Sequence, residues 1–86
     1  MPRYRIQWTG RAERELGRLH VKNQARVRAA VLTLAVDPRR PGVKRLTNRG
    51  REHRLRVGDH RVLFEIHDQH VLVLVIAVRK REDAYE

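Results

Sequence analysis

The sharpest chemical signal in the chain is a pair of arginines flanking a tight turn. In Arg54-Leu55-Arg56-Val57-Gly58-Asp59-His60-Arg61-Val62, a Gly-Asp pair sits between two alternating segments, the pattern of a two-residue β-hairpin loop. With Gly58 and Asp59 as the loop, Val57 pairs with His60, Arg56 with Arg61, Leu55 with Val62, Arg54 with Leu63 and His53 with Phe64. Leu55, Val57, Val62 and Phe64 then share one face, and Arg54, Arg56, Arg61 and Leu63 share the other. A slip of one residue would bury arginines, so the register is strongly specified. Like charges directly opposite one another are destabilising. A bound phosphate removes the repulsion and adds charge-assisted hydrogen bonds. The competing reading has Glu65 or an acid of the C-terminal tail neutralise the pair. Lys80, Arg81 and Tyr85 follow the last strand, which can deliver them to the mouth of the same face. Tyrosine is the proton-transfer group there, since arginine stays protonated, and nearby guanidinium groups favour its phenolate. Together these residues suit a phosphate site with a candidate general base that needs no metal.

Composition supports a polyanionic partner. The 86 residues hold 20 Lys and Arg against 10 Asp and Glu, a net charge of +10. Seventeen of the bases are Arg, which favours bidentate phosphate contacts. The charge is uneven: residues 39–61 carry net +7, whereas residues 62–86 carry net −2. RNA, DNA, a ribosome or an acidic protein fits such a surface. The chain has no Cys and no Ser, which excludes disulfides, thiol catalysis, zinc fingers and a serine triad. No run approaches the ~20 apolar residues of a membrane span, and the N-terminus lacks a signal-peptide pattern. The expectation is a single cytoplasmic domain over residues 1–86.

Hydrophobic periodicity supplies the elements that must position these groups. Tyr4, Ile6 and Trp8 alternate, which predicts a strand. Thr9 offers an N-cap, and Ala12, Leu16 and Leu19 follow at helical spacing. A break at His20–Asn23 precedes a second helix with Val27, Ala30, Val31, Leu34 and Ala35 on one stripe. Pro38 should end it near Val36. Residues 38–50 read as a basic loop with a short extended piece near Lys44. After the hairpin, Asp68 and Gln69 make a turn, and Val71–Val78 is continuously apolar, as in a central strand. The order β-α-α-β-β-β predicts an α+β fold, an antiparallel sheet with a helical hairpin on one face and a short C-terminal tail.

These motifs resemble the RelE/ParE superfamily of bacterial toxins. The likeness rests on residues 54–62, the apolar strand and Arg79-Lys80-Arg81-Glu82-Asp83-Ala84-Tyr85, and it extends over nearly the whole chain. It is closer to RelE. The resemblance implies a RelE-like fold and a ribosome-dependent, metal-independent mRNA endonuclease that cuts A-site codons. In that scheme the 2′-hydroxyl attacks the adjacent phosphate and leaves a 2′,3′-cyclic phosphate. Arg54, Arg56 and Arg61 would hold the phosphate, Arg81 would act on the leaving 5′-oxygen, and Tyr85 would orient or deprotonate the 2′-hydroxyl. Lys44, Arg45, Arg49, Arg51 and Lys80 would contact RNA or the ribosome. The two strand bases are lysines in the type member, so the role of Arg54 and Arg56 would be electrostatic. The implied partners are mRNA, the ribosome and a RelB-like antitoxin encoded alongside. No cofactor is implied.

Two other functions compete: a ParE-type protein that binds DNA gyrase, and a basic nucleic-acid-binding module without activity. His67 and His70 flank a turn but lack the companions of a metal site. The dispersed glycines form no phosphate-binding loop. His53 and His60 fall on the helix-facing side of the hairpin, which favours packing over catalysis.

Overall fold

The computed structural model describes residues 3–46 and 50–80. Along the chain run β1 (Arg5–Trp8), α1 (Gly10–Gly17), α2 (Val21–Val36), β2 (Val43–Arg45), β3 (Glu52–Val57), β4 (His60–His67), a 3-10 turn (Asp68–His70) and β5 (Leu72–Lys80). The strands form one sheet in the order β1-β5-β4-β3-β2. Among the described residues no helix is long and apolar enough to cross a membrane.

Local chemistry sets the helix ends. The Thr9 hydroxyl accepts from the Ala12 N–H at 3.1 Å and donates to the Ile76 carbonyl at 3.0 Å, so one side chain caps α1 and ties it to β5. The break between the helices falls at residues 18–20, slightly before the expected place. There His20 Nδ1 accepts from the Lys22 N–H at 3.2 Å and caps α2. The second helix ends at Val36, two residues before Pro38, as the restriction on residues preceding proline requires. Of the expected stripes, Ala12 and Leu16 on α1 and Val27, Val31, Leu34 and Ala35 on α2 are buried, while Leu19 and Ala30 are partly buried. All but Ala35 belong to or pack against one cluster with Leu55, Val62, Phe64, Ile66, Val73, Val75 and Val78 of the sheet. Trp8 packs against this core, and the Arg28 guanidinium lies 5.8 Å from its ring centre.

Pairing of β3 with β4 follows the expected register from Val57–His60 to His53–Phe64. Gly58 has φ of 59°, the positive value required at the first loop position of a II′ hairpin turn. Three features lay outside the periodicity. β1 runs parallel to β5, because alternation sets a strand's faces but not its direction. The piece around Lys44 is a true edge strand, antiparallel to β3. The turn after β4 spans four residues, with Val71 in the left-handed region at φ of 48°.

That longer turn is anchored by Asp68. Its carboxylate accepts both Arg39 terminal nitrogens, at 3.1 and 2.9 Å, and the Tyr4 hydroxyl at 2.8 Å. The start of the sheet, the loop after α2 and the β4–β5 turn thus meet at one side chain. Hydrogen bonds from Arg39, and then from Tyr4, hold the Asp68 carboxyl at about 2. The same bond to Asp68 pushes the Tyr4 phenol upward.

Two outcomes are expected. A Cβ on Gly58 would strain the positive φ and sit 3.3 Å from an Arg26 guanidinium nitrogen. Gly58→Ala should therefore cost about 1–2 kcal/mol in urea denaturation. Asp68 has a depressed folded-state pKa, so its contribution is present above the ordinary value of 3.8 and is lost as pH falls through about 2. Asp68→Asn should be less stable than wild type at pH 5–7, and thermal melts should show the gap closing between pH 4 and 2.

Candidate nucleic-acid interface

The hairpin register that buries Leu55, Val62 and Phe64 turns the intervening side chains to the opposite, helix-free face of the sheet. Arg56 lies directly opposite Arg61 there, and Arg54 lies opposite Leu63. A pair of this kind beside a two-residue turn brings its Cα atoms to about 4.5–5.5 Å. Lys44 on β2 extends the row through its pairing with Arg54. Arg56 Nε donates to the Gly58 carbonyl at 3.2 Å, which draws this guanidinium against the turn.

Glu65 does not neutralise the pair. It lies opposite Glu52, and its Oε1 meets His67 Nε2 at 2.7 Å. Glu15 pairs with Arg11, Asp68 with Arg39, and Glu65 with His67. The acids of the tail lie outside the described residues.

Periodicity missed one member of the cluster. A register shift between Leu63 and Phe64 makes Phe64 pair with Val75, but Leu63 with Ala77, Val62 with Val78 and Arg61 with Arg79. Without the extra residue Arg79 would lie opposite His60, on the helix side. The bulge sends Val78 into the core and Arg79 to the open face, so that Arg56, Arg61 and Arg79 form one row across three strands. Bulges commonly re-aim side chains in this way beside active sites. α1 holds the irregular stretch: Glu15 Oε1 accepts the Val78 N–H at 2.8 Å where β1 no longer covers β5. The signal in the sequence was Arg79 itself, at the end of an apolar run whose faces alternation could not assign.

The other expected contact residues separate. Lys80 pairs with His60 and so lies on the helix side, bordering a cavity of about 580 Å³ with Arg18, His20, Asn23, Asp59 and His60. Arg45 pairs with His53 rather than with a residue of the arginine face. With Arg51 it borders another cavity of about 580 Å³ at the far end of the sheet, shared with Arg39, His53 and His70. Arg49, Arg81 and Tyr85 lie outside the described residues. His53 and His60 are buried. His53 stacks on Phe64 at 5.7 Å, and its Nδ1 donates to the Arg51 carbonyl at 2.7 Å. Among the described residues no group of three or more His, Asp or Glu is arranged to hold a metal ion.

Comparison with known proteins agrees with this architecture. The family model for the ParE toxin of the type II toxin–antitoxin system parDE matches residues 6–85. Among solved structures, the chain is similar to one in the RelBE2 toxin–antitoxin complex of Mycobacterium tuberculosis. There identity is 30% over 92% of this chain and 99% of the other, with a TM-score of 0.82. The archaeal RelE–RelB complex of Pyrococcus horikoshii gives 22% identity over 98% and 100% of the two chains, also at 0.82. The isolated RelE toxin of E. coli gives 22% over 90% and 83%, at 0.79. No curated protein sequence matches the chain. A family match over almost the full length, on a fold shared with RelE toxins, places this chain in the RelE/ParE superfamily of type II toxin–antitoxin toxins.

Proposed function

We propose that the chain is an mRNA endonuclease that acts on the A-site codon of the ribosome in the cytoplasm, without a metal. The observation that carries this reading is the like-charged pair Arg56–Arg61, with Arg54 beside it, on the open face. Charge repulsion there is relieved by a phosphate.

In the reaction, the 2′-oxygen of the target nucleotide attacks its own 3′-phosphorus. The O2′–P bond forms, the P–O5′ bond breaks, and a 2′,3′-cyclic phosphate remains. Arg54, Arg56 and Arg61 stabilise the second negative charge that develops on the non-bridging oxygens. Fixed donors of this kind are worth most when they already point at the place where charge appears. As permanent cations they supply field rather than protons. The resemblance assigns the remaining steps to the tail: Tyr85 takes or orients the 2′-hydroxyl proton, Arg81 stabilises the charge on the 5′-oxygen as it leaves, and water supplies the proton that the 5′-hydroxyl needs.

The same face is suited to a cognate antitoxin. Solved RelE chains of similar fold occur in complexes with RelB antitoxins. An acidic or amphipathic segment laid across Arg54, Arg56 and Arg61 would neutralise them and occlude the phosphate site. The match to the ParE family model favours a second reading, a gyrase-binding toxin that needs no catalytic tyrosine.

End-labelled mRNA on programmed ribosomes, mapped by primer extension, separates the two. Wild type should cut in the A-site codon, and Arg61→Ala should lower the rate about 10²–10³-fold, the usual loss for one transition-state donor. Tyr85→Phe should also lose rate. Absence of cuts together with arrested gyrase supercoiling would overturn the nuclease reading in favour of the ParE one.

A further inference from the structure

We propose that Arg79 gives the arginine face a second phosphate subsite, so that it grips two successive phosphates of one RNA strand. The inference rests on the nuclease reading and names the substrate that the face is shaped for. Lys44, Arg54, Arg56, Arg61 and Arg79 lie on one face within three adjacent strand positions. A single phosphodiester carries one charge and two free oxygens. It can satisfy one or two guanidinium forks, and even its doubly charged transition state leaves cations over. Three strands also make the Arg56–Arg61–Arg79 row about 10 Å wide, two strand spacings, broader than one phosphate.

The position of Arg79 is built by the fold. The bulge opposite Leu63 and Phe64 is what moves this residue from the helix side to the open face. Two side chains from the start of the helical layer hold that stretch: the Thr9 hydroxyl on the Ile76 carbonyl, and Glu15 on the Val78 N–H. Arg79 thus follows directly on a backbone segment fixed from outside the sheet. Arg54, Arg56 and Arg61 take the scissile phosphate, and Arg79 takes the neighbouring one beyond Arg61. Its task is binding and registration of the strand rather than charge stabilisation at the reacting phosphorus.

The test needs no turnover. Fluorescein-labelled oligonucleotides with 2′-O-methyl groups, which cannot be cut, are titrated at low salt and followed by polarisation. A dinucleotide offers one phosphate and a trinucleotide two. Wild type should bind the trinucleotide roughly tenfold more tightly, the worth of one charge-assisted contact. Arg79→Ala should lose that gain, keep its dinucleotide affinity and flatten the trinucleotide salt slope by about 0.7. Arg79→Lys should keep the slope. Arg61→Ala should weaken both ligands. Loss with Arg61→Ala but none with Arg79→Ala would overturn the second subsite and leave the nuclease reading standing. Unchanged binding in both variants would remove the nuclease reading and this inference with it.

Discussion

The two-residue turn at Gly58 and Asp59 fixes the register on which the rest of the sheet depends. Gly58 accepts the positive φ that the turn demands, and every pair of β3 and β4 follows from it. One side of that ladder places Leu55, Val62 and Phe64 in the core. Full burial of each is worth about 1.5–3 kcal/mol, whereas a like-charged pair across strands costs roughly 0.2–1 kcal/mol. The core term wins, and the arginines are held face to face as a consequence. Stability of the hairpin and assembly of the cation row are therefore the same structural event seen from two sides.

A second constraint acts from the helical layer. α1 begins at a threonine that also bonds β5, and carries a glutamate that takes a β5 amide where β1 has ended. These contacts satisfy backbone groups that a bulge would otherwise leave without partners. The helix that covers the core thereby also sets the aim of Arg79. At the other end of the sheet, the knot of Tyr4, Arg39 and Asp68 ties three connections together. It lies away from the arginine row, and its effect is on stability.

Much of this was legible in the residues. The Gly-Asp pair and its alternating flanks give the hairpin, its register and the faces of Arg54, Arg56 and Arg61. The helical stripes and Pro38 give the helices to within a few residues. Three things were hidden, each for a physical reason. The direction of β1 is a property of the whole chain path, which its own four residues do not encode. The apolar run of β5 has no alternation, so a one-residue irregularity inside it leaves no trace in the pattern. Alternation puts the neighbours Arg79 and Lys80 on opposite faces, and that irregularity decides which of the two takes the open one. Arg45 and Arg51 belong to the same basic stretch as Arg54, but their place in the pleat and at the end of β3 turns them toward a different cavity.

The central claim is that the arginine row is retained for an anion at the expense of the free protein's stability. Chemical denaturation of Arg61→Thr tests it most directly, because Arg61 lies between Arg56 and Arg79 and threonine suits a strand. At low salt the variant should be more stable than wild type by about 0.5–1 kcal/mol, and the difference should shrink as salt screens the row. A variant less stable than wild type at low salt would make Arg61 a structural residue and contradict the account.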